Sequence, residues 1–249
     1  MKLFNLIKKK NKKKKFISDS ISSILSQTYE NLEIILIDDE LSLESKNLLN
    51  DIYKSDKRIK LISNYSNLGA GFSRNNAIQN SNGNYIAFCD CDDVWKENKL
   101  ERQINFMEKN DYNFTFTAYQ IINEIGEIIG SRNVKKKISF KELIKSCDIG
   151  LSSVIIKKNI FDEKKILFPN LKTKEDYVLW LKLAKENVGL YGLQENLSYW
   201  RKTNNSLSSS VIQKLIDGYR VYSIYLGFNF FKSLFCLITL SLNFMLKRK

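Results

Sequence analysis

The stretch Asn84-Tyr-Ile-Ala-Phe-Cys-Asp-Cys-Asp-Asp-Val-Trp95 decides how the rest of the chain is interpreted. Its apolar part, Tyr85 to Cys89, predicts a short buried β-strand. The strand runs into three carboxylates, Asp90, Asp92 and Asp93, and ligands in open α/β sheets bind beyond the carboxyl ends of strands. Clustered carboxylates are typical ligands of Mg²⁺ or Mn²⁺. An acidic turn that caps the following helix explains the same residues, so both interpretations stay open.

The segments before this stretch predict alternating helices and strands. Short apolar runs favour strands at residues 33–39 and 59–63, and helices are expected at residues 17–26 and 42–54. Residues 67–75 form a glycine-bearing turn that leads into a further helix. This alternation predicts an α/β fold with a mostly parallel central sheet in a doubly wound arrangement.

The second half of the chain is expected to add strands, helices and a hairpin. Strands are predicted at residues 114–119 and 151–156, and residues 124–137 are interpreted as a hairpin or mobile loop. Amphipathic spacing predicts helices at residues 96–109 and 175–185. We divide the chain into four segments: a basic N-terminal segment (1–15), a first half (16–110), a second half (111–209) and a C-terminal helical segment (210–249).

The composition limits the chemistry that the chain can perform. Its 249 residues, 43% of them hydrophobic, suffice for one large domain or two small ones. The formal net charge of +13 predicts an anionic partner: a phosphate-rich ligand, nucleic acid or an anionic membrane. Histidine is absent, which excludes a histidine general base and histidine-ligated zinc. Acid–base chemistry must therefore come from carboxylates, Tyr, Lys or Cys.

The cysteines and the N-terminus favour a reducing cytosol. Cys89, Cys91, Cys147 and Cys236 lack the spacing of a zinc site. The first two are too close along an extended chain to form a disulfide easily. The N-terminus carries charge early and has no long apolar region, so no secretory signal is recognised.

Two segments are candidates for contact with a membrane. The lysine-rich block at residues 8–15 is either a solvated tail or a patch attracted to anionic lipid. Residues 222–246 are rich in Phe, Leu and Ile, but their uninterrupted apolar part, 233–242, is well short of the roughly 20 residues that span a bilayer. We therefore expect an amphipathic helix on the membrane surface. A helix packed on the protein's own core is the alternative.

Several motifs follow one another in the chain. They are Asp38-Asp39; Asn67-Leu-Gly69 with Ser73-Arg-Asn75; Asp90-Cys-Asp92 with Asp93 and Trp95; Lys174-Glu-Asp176 with Tyr177 and Trp180; and Tyr199-Trp-Arg201 with Ser206. In order and spacing they resemble the family 2 glycosyltransferases with the GT-A fold, especially bacterial enzymes that build lipopolysaccharide and capsule. The resemblance covers about residues 11–209, and a series of motifs is far more specific than a lone D-x-D.

The resemblance implies a single GT-A domain that takes a sugar from a nucleotide-sugar donor, such as a UDP-sugar, with Mn²⁺ or Mg²⁺. It implies that residues 1–15 contain a degenerate first strand, that 16–110 is the nucleotide-sugar-binding half and that 111–209 is the acceptor-binding half. Asp90 and Asp92 correspond to the metal ligands, and Asp176 corresponds to the general base of an inverting transfer. For Asp176, a charge that complements the helix dipole is the alternative. The residues implied to contact the donor are Asn11, Asp38, Asp39, Asn67, Gly69, Arg74, Asp90 and Arg201.

By the same resemblance, the acceptor is expected to be a lipid-linked saccharide, and the protein to be cytoplasmic and peripheral on the inner face of the cell membrane. Two segments depart from the family: Lys8-Lys-Lys-Asn11 stands in place of P-x-Y-N, and Glu40-Leu-Ser-Leu43 in place of G-S-x-D. Losing Pro and Gly removes preset turn geometry. A degenerate transferase that serves as a membrane- or partner-binding module is therefore the alternative function. No recognition motif supports nucleic-acid binding.

Overall fold

A ten-stranded sheet organises the chain in a computed structural model that describes residues 2–6, 13–203 and 210–246. The strands are β1 (Lys2–Leu6), β2 (Glu33–Asp38), β3 (Ile59–Ser63), β4 (Tyr85–Phe88), β5 (Val94–Trp95), β6 (Phe114–Ile122), β7 (Ile128–Arg132), β8 (Lys137–Ile138), β9 (Ile155–Lys157) and β10 (Leu190–Arg201). The α-helices are α1 (Lys13–Leu25), α2 (Leu43–Ser55), α3 (Ala70–Gln79), α4 (Lys99–Lys109), α5 (Phe140–Leu143), α6 (Asn159–Lys164), α7 (Glu175–Lys185), α8 (Val211–Arg220) and α9 (Phe230–Leu246).

The sheet contains parallel and antiparallel strand pairs. Its strand order is β3-β2-β1-β4-β9-β6-β10-β5, with β7 paired to β6 and β8 paired to β10. The strands β3, β2, β1 and β4 are mutually parallel, as expected for the first half. The expectation of a mostly parallel central sheet is confirmed beyond β4 as well: β9 alone is reversed between β4 and β6, so β6 and its parallel neighbour β10 run in the same direction as β4. The whole sheet is therefore mixed.

Most of the predicted elements of the first half are present. The interpretation of residues 124–137 as containing a hairpin is also confirmed, since β7 folds back antiparallel on β6. The strand predicted at residues 151–156 is partly wrong: residues Leu151–Ser153 form a 3₁₀ helix, and only Ile155–Lys157 is a strand. The sequence analysis missed β10 altogether. Its ladder with β6 shifts register between Leu193 and Ser198, so no regular apolar alternation marks it as a strand.

Hydrophobic cores lie on both faces of the sheet, which explains the near-continuous apolar run of β2. Ile34 and Leu36 pack in the core that α1, α2 and α4 cover. Ile35 and Ile37 point the other way, into the larger core that α3 and α7 cover. Trp180 of α7 is completely buried there. The two layers hold the carboxyl ends of the parallel strands in a fixed position.

The C-terminal segment packs onto the second half of the chain. A π-helical turn, Val221–Tyr225, joins α8 to α9. Tyr222 is buried, and its hydroxyl lies 3.1 Å from that of Tyr177 in α7. Cys236 and Leu240 of α9 also reach the core, so part of this helix packs on the protein itself. Within the described ranges, no helix combines the length and apolar character needed to cross a bilayer.

Candidate active site

The acidic loop after β4 is fixed by one serine from a distant segment. Ser152 Oγ accepts a hydrogen bond from the backbone N–H of Asp90 at 3.0 Å and donates one to the carboxylate of Asp93. Asp93 is buried, and burial together with the negative charges of Asp92 and Asp90 raises the pKa of its carboxyl well above the ordinary value. Asp90 and Asp92 remain partly exposed at the mouth of the loop. The loop therefore presents two carboxylates and buries the third as a support.

Asp90 and Asp92 are suited to hold a divalent cation that a substrate phosphate also coordinates. No cluster of three or more Asp, Glu, Cys or His side chains placed to hold a metal occurs in the described part of the chain. Mg²⁺ and Mn²⁺ in nucleotide sites need fewer protein ligands, since one or two carboxylates combine with waters and substrate phosphates. Both aspartates supply the hard oxygen ligands that these ions prefer. These two carboxylates therefore fit an ion that a diphosphate also coordinates. They do not fit an ion whose ligands all come from the protein.

Arg74 of α3 connects this loop to the start of α7. Its Nη2 donates to Asp90 Oδ1 at 2.9 Å, and its Nη1 donates to Glu175 Oε1 at 2.6 Å. The guanidinium also lies 5.5 Å from the centre of the Phe168 ring. Burial alone would lower the pKa of Arg74, but the charges of Asp90 and Glu175 outweigh burial and raise it. Arg74 thus stays charged while buried and links two segments 85 positions apart in the chain.

Asp176 follows Glu175 in the first turn of α7. Its Oδ1 accepts a hydrogen bond from the backbone N–H of Tyr177 at 2.7 Å, which fixes the orientation of the carboxyl. Burial, and then the negative charge of Glu175, raise the pKa of Asp176 to about 7. Arg74 opposes this shift. A carboxylate with a pKa near neutrality can accept a proton at physiological pH, which the ordinary value of 3.8 would disfavour.

The edge formed by the end of β2 and the turn before α3 is held together by Asp39. Its carboxylate accepts hydrogen bonds from the side chain of Asn64 and from the backbone N–H groups of Leu68 and Gly69, at 2.7–2.9 Å. Asn67 closes the same turn, since its Nδ2 donates to the carbonyl oxygen of Asp39 at 2.7 Å. Asp39, Asn67 and Gly69 were all predicted to contact the nucleotide-sugar donor. They are neighbours, and hydrogen bonds join Asn67 and Gly69 to Asp39.

Asp38 has one carboxylate oxygen that stays unsatisfied. Oδ1 accepts hydrogen bonds from the backbone of Glu40 and Leu41 and from Ser45 Oγ. Oδ2 is buried and has no hydrogen-bond partner among the described residues. Buried polar atoms are normally paired, so this oxygen is a candidate acceptor for a ligand donor group.

Arg201, at the end of β10, also supports the acidic loop. Its backbone N–H donates to Asp93 Oδ1 at 2.9 Å, and its Nε donates to the carbonyl oxygen of Asp92 at 2.9 Å. Its guanidinium lies over the Phe16 ring and reaches Asp19 Oδ2 at 3.4 Å. Arg201 thus lies beside the predicted metal ligands.

The structure brings most of the predicted residues to one edge of the sheet. Asn11 and Ser206 lie outside the described residues. The sequence analysis missed the roles of Ser152 and of Glu175, which is the partner of Arg74. Ser152 had no local signal, because it lies in a segment predicted to be a strand. Glu175 is adjacent to Asp176, but only the tertiary structure shows that it faces Arg74.

The sequence is similar to a known protein family and to individual proteins. The model of the family described as "Glycosyl transferase family 2" matches residues 7–166. The chain is 31% identical over 234 residues to "Putative teichuronic acid biosynthesis glycosyltransferase TuaG" of Bacillus subtilis, which covers 94% of this chain and 92% of that protein. It is 38% identical over 200 residues to "UDP-Glc:alpha-D-GlcNAc-diphosphoundecaprenol beta-1,3-glucosyltransferase WfgD" of Escherichia coli, with coverages of 80% and 77%.

Solved structures show the same fold. The structure of S. aureus TarS 1-349 in complex with UDP-GlcNAc superposes with a TM-score of 0.72 at 18% identity, over 91% of this chain and 65% of that chain. The mannosyltransferase PcManGT from Pyrobaculum calidifontis, in complex with GDP-Man and Mn²⁺, superposes with a TM-score of 0.69 at 11% identity, over 92% of this chain and 64% of that chain. The chain thus spans slightly less than two thirds of each solved chain, and at these identities the likeness concerns the fold.

Proposed function

The chain belongs to glycosyl transferase family 2 and is a glycosyltransferase with a GT-A-type fold, and on this premise we propose which sugar chemistry it performs. It transfers a hexosyl or N-acetylhexosaminyl group from a UDP-sugar to a saccharide acceptor, with inversion at the anomeric carbon. The transfer depends on Mn²⁺ or Mg²⁺. The acceptor is lipid-linked and belongs to a cell-surface polysaccharide or lipooligosaccharide.

The observation that carries this proposal is the buried link from Asp90 through Arg74 to Glu175, next to Asp176. It connects the carboxylates suited to a diphosphate-bound ion with the best candidate for a general base. A displacement needs these two functions on opposite sides of the reacting carbon. No histidine exists to take either role.

In the proposed reaction, Asp176 removes the proton of the acceptor hydroxyl as its oxygen attacks the anomeric carbon. The new glycosidic bond forms while the bond between the sugar and the diphosphate breaks, and the nucleoside diphosphate leaves with the electron pair. A single displacement of this kind inverts the anomeric centre. Asp90 and Asp92 would hold the divalent ion, which when bound supplies positive charge to the departing diphosphate.

The donor is expected to lie along the carboxyl ends of β2 and β4. Asp38 Oδ2, buried and unpaired in the described structure, suits an N–H or O–H donor of the nucleoside. The adjoining turn is held by hydrogen bonds of Asn67 and Gly69 to Asp39. Arg201 stabilises the loop that carries the proposed metal ligands through its hydrogen bond to the carbonyl oxygen of Asp92. Arg74 and the general excess of positive charge favour a diphosphate at this edge.

The names of two relatives support the proposed acceptor class. The name of the Escherichia coli protein specifies a diphosphoundecaprenol-linked saccharide, and that of the Bacillus subtilis protein specifies teichuronic acid biosynthesis. A lipid carrier of this kind stays in the bilayer, so we place the protein peripherally on the inner, anionic face of the cell membrane.

A panel of nucleotide sugars tests the proposal. Thermal shift and release of nucleoside diphosphate are measured for UDP-, GDP- and dTDP-sugars, each with Mn²⁺, Mg²⁺ or EDTA. We expect one UDP-sugar to stabilise the protein and to be turned over only with metal. Asp92→Asn is the control and should lose the metal-dependent response. If no nucleotide sugar binds while the protein still binds vesicles, the alternative of a degenerate, membrane-binding transferase is favoured.

A further inference from the structure

Exposed apolar side chains are concentrated in the C-terminal segment. Of the 23 large hydrophobic residues that are exposed in the described chain, 14 lie between residues 211 and 246. The exposed fraction reaches 72% for Ile212 in α8, and 81% for Phe231 and 68% for Phe235 in α9. We call the exposed apolar side chains of α8 and α9 the C-terminal apolar face. Single exposed hydrophobic residues are ordinary, but a contiguous group of this size marks an interaction surface.

The opposite side of the two helices is packed against the protein. Asp217 and Gly218 of α8 are buried, and Cys236 and Leu240 of α9 are buried in the larger core. The two helices also touch each other, since a Cβ at Gly218 of α8 would lie 2.8 Å from Leu237 Cδ1. The helices therefore lie along the surface of the protein, and the apolar face points outward from a fixed support.

The charges around the face have one sign. Lys214, Arg220 and Lys232 are the basic residues of positions 211–246, and Asp217 is the only acidic one. Asp217 is completely buried and lies 3.4 Å from Arg220, so positions 211–246 carry no exposed acid and Lys214 and Lys232 add positive charge to that of the pair. The sequence continues with Lys247-Arg-Lys249. An apolar face with basic residues and no exposed acid is typical of helices that lie in an anionic bilayer interface.

We propose that the C-terminal apolar face docks in the plane of an anionic lipid surface, with Phe231 and Phe235 inserted among the acyl chains and the basic side chains at the headgroups. A second copy of this chain is the main competing occupant. A two-fold symmetric dimer would press the same basic rim against itself, which electrostatic complementarity disfavours. Anionic lipid satisfies both the apolar and the basic parts of the surface.

The docking face is firmly connected to the candidate active site. Asp217 Oδ2 accepts hydrogen bonds from the backbone N–H and the hydroxyl of Thr173, at 3.1 and 3.0 Å. Thr173 lies two residues before the start of α7, which carries Asp176. The hydroxyl of Tyr222 also contacts that of Tyr177. If the proposed function holds, docking therefore sets the height and orientation of Asp176 above the bilayer in which the acceptor lies.

Vesicle co-sedimentation of the full chain tests the docking surface without any sugar substrate. We expect binding to vesicles of phosphatidylglycerol and phosphatidylcholine, and much weaker binding to phosphatidylcholine alone. Phe231→Ser combined with Phe235→Ser should reduce partitioning by roughly tenfold or more, because two large apolar side chains no longer enter the membrane. The matched control is Leu43→Ser combined with Tyr53→Ser, two exposed apolar residues of α2, and it should bind like the parent protein.

A second measurement does not depend on the stability of the serine variants. Tryptophan placed by Phe235→Trp should be quenched by brominated lipid, whereas Leu43→Trp should show only the background of the native tryptophans. The proposal would be overturned if the double variant Phe231→Ser, Phe235→Ser bound vesicles like the parent protein. Equal quenching of the Phe235→Trp and Leu43→Trp variants would also overturn it. A third result would have the same effect: a parent protein that is dimeric in light scattering and does not bind vesicles, with the dimer lost in the double serine variant.

The outcomes also separate this inference from the proposed function. Vesicle binding without turnover of any nucleotide sugar would defeat the proposed function alone. Turnover of a nucleotide sugar by a protein that ignores anionic vesicles would defeat the docking surface alone. Truncation before α9 is not a clean test, because Cys236 and Leu240 fill part of the core.

Discussion

Replacing Asp176 with Asn should separate the catalytic role of this residue from its effect on stability. Asn keeps the size of the side chain and can still accept the hydrogen bond from the backbone N–H of Tyr177. It cannot accept the proton of an acceptor hydroxyl. Loss of a general base lowers kcat by roughly 10²–10⁴, so we expect a fall of that size with donor binding nearly unchanged.

The same replacement should stabilise the protein, and by more at pH 8 than at pH 5. Burial and Glu175 raise the pKa of Asp176 from 3.8 to about 7, so the folded state holds this proton more tightly than the unfolded state. Stability contributed by the protonated carboxyl is therefore lost as pH rises from about 4 to 7. The shift corresponds to at most about 4 kcal/mol. Asp176 is only half-buried, so solvent screens its charge and we expect about 1–2 kcal/mol at pH 8.

The assays are steady-state kinetics with the donor identified from the panel, and urea unfolding at pH 5 and pH 8. In the parent protein, kcat/KM should rise with pH to a plateau with an apparent pKa near 7, because the ionised carboxylate is the active form. The control is Glu186→Gln, an exposed acid at the other end of α7. Near-normal turnover of Asp176→Asn with chemistry rate-limiting would refute the assignment. A variant less stable at pH 8 than at pH 5, relative to the parent protein, would refute the electrostatic argument.

Three further changes test the metal site, the sheet and the C-terminal attachment. Asp92→Asn should abolish Mn²⁺-dependent nucleotide binding in calorimetry while thermal unfolding stays cooperative, and unchanged affinity would show that the ion binds elsewhere. Gly192→Ala should destabilise the fold by about 2 kcal/mol or more in urea unfolding, because a Cβ there would overlap the carbonyl oxygen of Lys135. Gly130→Ala, whose new Cβ would meet neighbours only at 3.6 Å or more, is its control and should change stability by less than about 1 kcal/mol; equal effects would contradict the overlap. Asp217→Ala should lower stability by about 1–3 kcal/mol, since it leaves two buried donors before α7 unpaired, and an unchanged melting temperature would count against that attachment.

Local patterns in the sequence were sufficient for the first half of the fold. The apolar run of β2 is buried on both faces, and such runs predict parallel strands covered by helices. Ser42 accepts a hydrogen bond from the backbone N–H of Ser45 and begins α2 at the expected place. The acids at the ends of β2 and β4 lie at one edge, because parallel strands end together there. Each of these features depends on residues close together in the chain.

The second half depended on contacts that no local pattern records. The strand β10 escaped the sequence analysis because its irregular register with β6 interrupts the apolar alternation. The antiparallel placement of β9 between β4 and β6 is a property of the sheet topology, and the sequence of β9 is compatible with either direction. For the same reason, the C-terminal helices could not be assigned beforehand to the membrane or to the core. The structure shows that one side of α9 packs on the core and the other is exposed.

The amino-acid sequence by itself determined which side chains carry the chemistry: the absence of histidine, the acids after β4 and the acidic start of α7. Only the tertiary structure decided how those side chains act on one another. Asp90 and Glu175 lie far apart in the chain, and both are bound to Arg74. The pKa of Asp176 near 7 results from burial and from the charges of Glu175 and Arg74. Electrostatic energies depend on distance in space and on exclusion of water, and both are set by folding rather than by position in the sequence.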